Sequence, residues 1–170
     1  MSEQTVNVLF LCRANSARSI IAEAMLNRVG AGRFKAYSAG SEPRAAIHDY
    51  AADALKAQNY DTAALHPKSW DEFTKPGAPV MDFVFLLDAD IGDAAIVPDL
   101  PGNPVIGHWG IPDPLAAEGK EAVRRAAFAE TMKFLNNRIG IFVNLRSFGQ
   151  DRAALQQRLD ELGESPSSAA

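Results

Sequence analysis

Short segments rich in strand-forming residues recur along the chain, and segments with helical spacing of apolar positions separate them. A short apolar run of this kind is typical of a strand buried in a parallel sheet. The predicted strands are Val6–Leu11, Phe34–Ala39, Met81–Leu87 and Val105–Trp109. The predicted helices are Ser19–Val29, Ile47–Gln58, Lys120–Leu145 and Ala153–Leu162.

This alternation of strands and helices needs crossover connections, which place helices on a parallel sheet. It predicts an α/β fold, a flavodoxin-like three-layer sandwich around a four-stranded parallel sheet. No repeat or long linker divides the chain, so residues 1–163 are expected to form a single catalytic domain. The small residues of 164–170 predict a disordered tail. Because ligands bind at the carboxyl ends of such strands, the loop after the first strand is the first candidate site.

Composition narrows the function classes. The chain has 170 residues, 47% of them hydrophobic, and a net charge of −4, which argues against a general affinity for nucleic acid. A single cysteine excludes an intrachain disulfide and clustered-cysteine metal centres. No basic leader and no run of about 20 apolar residues is present, which predicts a cytoplasmic protein without a membrane partner. We expect no resident cofactor and no metal, apart from the cation discussed below.

The loop from Cys12 to Arg18 joins the first strand to a helix and reads C-R-A-N-S-A-R. Unpaired N–H groups and the dipole at a helix start favour an anion, and Arg18 can donate a bidentate pair to it. The same field is expected to lower the pKa of the Cys12 thiol and favour the thiolate. Ser19 can donate its hydroxyl to the sulfur, and Asn15 suits a positive φ. The predicted oxyanion-binding residues are Arg13, Ala14, Asn15, Ser16, Ala17 and Arg18.

Taken singly, these residues have ordinary explanations, because a lone cysteine is usually a small core residue and an arginine at a helix start is usually solvated. Together they favour an anion site. The stretch V-L-F-L-C-R-A-N-S-A-R-S, with the segments 20–24 and 37–40, resembles the low-molecular-weight protein tyrosine phosphatases and the arsenate reductases that share their fold. The resemblance extends to about Leu145. It implies that Cys12 is the nucleophile and that Arg18 holds the substrate oxyanion.

A second motif, Asp113-Pro114, matches the Asp-Pro pair that supplies the general acid in this family. When sulfur attacks phosphorus or arsenic, an oxygen must leave, and a carboxylic acid that protonates it lowers the barrier. Proline restricts the backbone of Asp113 and would help to orient its side chain. The alternative is an ordinary Asp-Pro turn.

The resemblance favours the arsenate reductase branch. Tyrosine usually follows the Asp-Pro pair in the phosphatases, whereas Leu115 follows here, and no aromatic residue lies near Pro43–Ile47. The lack of an aromatic side chain at both places weakens the binding of a phenyl ring. The segments that resemble the reductases are Lys68–Phe73, Pro76–Pro79 and His108–Gly110.

Thioredoxin-coupled reductases of this family carry two further cysteines after the third strand, but residues 87–98 contain none. A reductase would therefore need an external thiol, such as glutathione with glutaredoxin, to resolve the adduct on Cys12. Arg13 could steer an anionic thiol, or it could be a solvated side chain. Two alternatives stay open: a tyrosine phosphatase that hydrolyses phosphomonoesters through a phosphocysteine, and a non-catalytic oxyanion-binding regulator.

The resemblance also implies a monovalent cation near Asn15, Glu23 and Ser38. The alternative for Glu23 is a structural hydrogen bond to the backbone of the Cys12–Arg18 loop. The loop-rich segment Asp88–Pro104 is long enough to form a lid.

Overall fold

The computed structural model describes residues 5–88, 98–145 and 152–164. Four parallel strands form one sheet in the order β2-β1-β3-β4. The strands are β1 (Val6–Leu11), β2 (Phe34–Ala39), β3 (Phe83–Asp88) and β4 (Val105–Ile111). The α-helices are α1 (Arg18–Val29), α2 (Asp49–Ala57), α3 (Glu121–Val143) and α4 (Arg152–Glu164). Short 3₁₀ turns cover Trp70–Phe73 and Pro114–Ala116.

Side chains of the central strand β1 alternate between two cores, as the pleat of a strand requires. Val8 and Phe10 face the larger core, which the apolar sides of the four α-helices complete. Leu9 and Leu11 face a smaller core on the other side of the sheet, which includes Phe73 from the first 3₁₀ turn. The predicted α/β fold with a four-stranded parallel sheet is therefore confirmed.

Element boundaries differ from the sequence prediction by a few residues. Helix α2 begins at Asp49 rather than Ile47, because the His48 ring accepts a hydrogen bond from the backbone N–H of Tyr50 and caps the helix. Strand β4 continues to Ile111. Most of the predicted lid, residues 89–97, and most of the predicted tail, residues 165–170, lie outside the described residues. Within the described parts of the chain, no helix combines the length and apolarity needed to cross a bilayer.

Two candidate residues, Cys12 and Asp113, lie where strands of the sheet end, together with Asp88. Cys12 follows β1, Asp88 ends β3, and Asp113 lies two residues beyond the end of β4. Because the strands are parallel and pair side by side, these ends share one edge of the sheet.

Candidate active site

The loop between β1 and α1 turns its carbonyl groups outward. The carbonyl oxygens at positions 13, 14 and 16 accept hydrogen bonds of 2.9, 3.0 and 2.9 Å from the backbone N–H groups at positions 42, 44 and 48. Outward carbonyls direct the intervening N–H groups to the concave side, which is the arrangement of an anion-binding nest. Ala17 occupies the N-cap of α1 and provides no side-chain cap, so the helix N-terminus is open to an anion.

Asn15 supports the loop from behind rather than from inside the cavity. Its φ of 46° confirms the predicted left-handed conformation. Its side-chain Oδ1 accepts a hydrogen bond of 2.8 Å from the backbone N–H of Lys68, and its Nδ2 donates at 2.6 Å to Ser19 Oγ. Because Ser19 Oγ accepts from Asn15, its hydrogen is left to donate to the sulfur of Cys12, 2.9 Å away.

Gly40 allows the loop to pack against the end of β2. A Cβ at this position would lie 2.4 Å from the carbonyl oxygen of Arg13 and 2.7 Å from that of Cys12. Both contacts are with backbone, which cannot turn aside as a flexible side chain could. In the sequence, Gly40 stands out only as part of the segment that carries the resemblance, because its role depends on a contact between segments that are distant along the chain.

Cys12 is almost completely buried, with 5% of its surface exposed. Burial raises the pKa of its thiol above the ordinary value; the hydrogen bond from Ser19 and the charge of Arg18 lower it, and the charge of Asp88 raises it. The predicted lowering of this pKa is therefore wrong. The prediction considered the effects of the cation and of the helix end on this pKa, but not those of desolvation or of the charge of Asp88.

The guanidinium of Arg18 is buried and held by three acceptors. Its Nη2 lies 2.7 Å from Asp88 Oδ1, and its Nη1 donates to the carbonyl oxygens of Ile111 at 3.1 Å and Leu87 at 3.4 Å. A guanidinium has five N–H donors, so these contacts leave donors for an oxyanion. The sequence predicts a loop that begins at Asp88, whereas Asp88 ends β3, and this ion pair is not predicted. The only available signal was an aspartate ending a strand at the edge where the site was expected.

Asp113 fits both interpretations of its motif. Its Oδ1 accepts a hydrogen bond of 3.0 Å from the backbone N–H of Leu115 and caps the 3₁₀ turn Pro114–Ala116. Its Oδ2 lies 3.9 Å from Arg18 Nη2, and 43% of its side-chain surface is exposed. The turn thus places a solvent-accessible carboxyl group beside the anion loop.

These groups surround a cavity of about 500 Å³. The loop from Cys12 to Arg18, here called the oxyanion loop, lines it. Segment 111–116 provides one wall, and the exposed Arg44 lies on the rim. Of the six predicted oxyanion-binding residues, five line the cavity and Asn15 does not. Ser16 is buried there, and its hydroxyl has no hydrogen-bond partner among the described residues.

The predicted cation position contains a lysine. Ser38 Oγ donates a hydrogen bond of 2.5 Å to Glu23 Oε1, and Lys68 Nζ lies 3.7 Å from the same oxygen while donating at 3.0 Å to the Ser38 carbonyl. Glu23 therefore bonds to a side chain of β2 rather than to the loop backbone, which corrects the alternative above. Within the described ranges, no group of three His, Cys, Asp or Glu side chains could hold a metal ion.

Comparisons with known proteins agree with this architecture. Residues 7–154 match the family described as low molecular weight phosphotyrosine protein phosphatase. An arsenate reductase of Oceanobacillus iheyensis is 30% identical over 135 residues, which cover 79% of this chain and 93% of that protein. The crystal structure of an arsenate reductase from Archaeoglobus fulgidus is 28% identical and superposes with a TM-score of 0.59, covering 78% of this chain and 98% of that one. A low-molecular-weight tyrosine phosphatase from T. tengcongensis is 21% identical, with a TM-score of 0.64 and coverage of 82% and 98%.

Proposed function

This chain belongs to the low molecular weight phosphotyrosine protein phosphatase family, and on that premise we propose that it is an arsenate reductase that uses an external thiol. The observation that carries the proposal is the lining of the cavity. Its wall at Leu115 and Ala116 and its rim at Arg44 offer aliphatic and cationic groups, and no described lining residue is aromatic. Such a cavity fits a compact oxyanion better than a phenyl phosphate, whose ring would need an aromatic or flat apolar contact. The names of the relatives that are about 30% identical support the same choice.

In the first step, the Cys12 thiolate attacks the arsenic of arsenate, which the loop N–H groups and Arg18 hold. The As–O bond to one oxygen breaks as Asp113 protonates it, so water leaves and a Cys12 thioarsenate remains. Ser19, 2.9 Å from the sulfur, stabilises the thiolate before attack. The raised pKa of the buried thiol makes this hydrogen bond and the charge of Arg18 necessary for reactivity.

In the second step, an external thiol must supply the electrons, because the chain has no second cysteine. Its thiolate attacks Cys12 Sγ, an S–S bond forms, and the S–As electron pair stays on arsenic, which leaves as arsenite. A second thiol cleaves the mixed disulfide and restores Cys12. The sum is arsenate and two thiols giving arsenite, one disulfide and water. We place this reaction in the cytoplasm, where thiols are kept reduced, with glutathione and glutaredoxin as the reductant system.

Phosphomonoester hydrolysis is the second candidate, since Cys12, Arg18 and Asp113 also form the set that a phosphatase needs. The oxyanion would then be a phosphoryl group, and water activated by Asp113 would resolve the phosphocysteine. An arsenate reductase with this loop is expected to show weak hydrolysis as a by-product.

The test is arsenite formation from arsenate with glutathione and glutaredoxin, with para-nitrophenyl phosphate hydrolysis measured in parallel. We expect arsenite production that is lost in Cys12→Ser and hydrolysis that stays slow. Rapid hydrolysis without arsenite, with any thiol, would reject the reductase in favour of the phosphatase. Phosphate binding without turnover of either substrate would indicate a regulator that binds oxyanions.

A further inference from the structure

Arg44 is an exposed cation at the mouth of the cavity that contains Cys12. Its backbone N–H donates a hydrogen bond of 3.0 Å to the Ala14 carbonyl, which ties its main chain to the oxyanion loop. Among the described residues, its guanidinium has no ion-pair or hydrogen-bond partner. The first step of the proposed reaction assigns no role to this side chain.

The charges that line the cavity are unevenly distributed. Of the two lining aspartates, Asp88 pairs with Arg18 at 2.7 Å and Asp113 lies 3.9 Å from the same guanidinium. Both carboxylates therefore lie beside the guanidinium of Arg18. Arg44 lies at the rim, and Asp88 and Asp113 are the only carboxylates among the described lining residues. An anionic molecule that enters beside a bound oxyanion meets positive charge there.

The size of the cavity leaves room for such a molecule. Its volume of about 500 Å³ lies within the range of small-molecule sites, about 300–1,000 Å³, and a tetrahedral oxyanion of five heavy atoms fills only a small part of it. The oxyanion must sit in the loop at the floor, above the sulfur of Cys12. Arg44, Leu115 and Ala116 line the same cavity and are available to a second molecule that occupies the remaining space.

We propose that Arg44 binds a carboxylate of the reducing thiol and makes the enzyme selective for small peptide thiols that carry carboxylates. This inference rests on the proposed reductase function and names the co-substrate class for its second step. With its carboxylate on Arg44, the incoming thiolate is held where it can attack Cys12 Sγ, form the S–S bond and leave the electron pair of the S–As bond on arsenic. A guanidinium matches a carboxylate in a planar, two-point contact, which an ammonium cannot reproduce.

The experiment measures arsenite formation at saturating arsenate, without glutaredoxin, against the concentration of glutathione or of dithiothreitol, which is neutral. The enzymes are wild type, Arg44→Ala, Arg44→Lys and, as the control, Arg125→Ala. Arg125 is a surface arginine that pairs with Asp53 and does not line the cavity. For Arg44→Ala, we expect KM for glutathione to rise about tenfold, because one charge-assisted contact is lost, and we expect kcat to change little. The parameters for dithiothreitol should not change, and Arg44→Lys should recover part of the loss.

The inference is overturned if Arg44→Ala lowers kcat/KM equally for both thiols, since Arg44 would then act on arsenate or on the fold. It is also overturned if kcat/KM changes for neither thiol. Phosphate binding by Arg44→Ala, measured by calorimetry, should equal that of wild type, and weaker binding would assign Arg44 to the oxyanion instead. If the enzyme forms arsenite with dithiothreitol, but Arg44→Ala does not raise KM specifically for glutathione, this inference is rejected and the proposed reductase function stands. If neither thiol gives arsenite, and adding glutaredoxin to glutathione does not restore it, both proposals are rejected.

Discussion

Replacing Asp88 with asparagine tests whether the buried ion pair with Arg18 stabilises the fold. The two side chains lie 2.7 Å apart and are 9% and 7% exposed, so solvent screens them little. Removing one partner of a buried pair costs about 3–5 kcal/mol, because it leaves an uncompensated charge. The amide oxygen of asparagine can still accept from Arg18, and two backbone carbonyls remain in place. We therefore expect a loss of about 2–3 kcal/mol in the free energy of unfolding.

The assay is urea unfolding at pH 7 in phosphate-free buffer, followed by the fluorescence of the two tryptophans, the buried Trp109 and the half-buried Trp70. With an m-value of about 2 kcal/mol/M, the midpoint should fall by about 1–1.5 M. The matched control is Asp53→Asn, which removes the charge of a surface pair with Arg125 at 3.0 Å and should change the midpoint little. A loss for Asp88→Asn no larger than for the control would refute the reasoning.

Inorganic phosphate adds a second readout to the same pair of proteins. A bound oxyanion gives Arg18 a close negative partner. Wild type already has Asp88 at 2.7 Å, whereas Asp88→Asn keeps only the more distant Asp113 carboxylate at 3.9 Å. Phosphate should therefore stabilise the variant more than it stabilises wild type, and the difference between their midpoints should narrow. If the difference widened, Asp88 would be needed to position Arg18 for the anion rather than to balance its charge.

Three further changes test other parts of the site. Gly40→Ala places a Cβ 2.4 and 2.7 Å from two carbonyl oxygens of the Cys12–Arg18 loop, so we expect the free energy of unfolding to fall by about 1–3 kcal/mol and phosphate to bind more weakly. The control Gly140→Ala should be tolerated, because a Cβ at this position in α3 meets open space. Ser19→Ala removes a contact that lowers the pKa of Cys12, so the pH profile of alkylation by iodoacetamide should move to higher pH; movement to lower pH would contradict this assignment. Wild type should show equal melting temperatures in potassium and sodium salts, because the Lys68 ammonium fills the cation position; Lys68→Met should become sensitive to potassium, and an insensitive variant would count against this role.

The parts of the fold that sequence predicted are those that local patterns control. Strands β1 and β2 were predicted with their observed bounds, because each is an apolar or alternating run that ends at a polar loop or a glycine. The Cys12–Arg18 loop was also found, since a strand end, a cysteine and a helix start follow one another along the chain. The positive φ of Asn15 followed from its residue type.

The remainder depends on contacts that no local pattern encodes. Asp88 reaches Arg18 from 70 positions away along the chain, and only the order of the strands brings them together. Lys68 fills the predicted cation position from a loop whose path the sequence did not define. The error in the Cys12 pKa has the same origin, because desolvation and the charge of Asp88 are properties of the packed site.

The two chemistries of this family share the floor of the site, so residues on the floor cannot separate them. In both proposed reactions we expect Cys12 to attack, Arg18 to hold an oxyanion and Asp113 to protonate an oxygen, whether the central atom is phosphorus or arsenic. What differs is the group that must fit above the sulfur: a phenyl ring for a phosphatase, a second thiol for a reductase. That group contacts the rim, where this chain has Arg44 and Leu115. A cation favours a carboxylate and a short aliphatic side chain gives little stacking to a ring, so the rim supports the reductase.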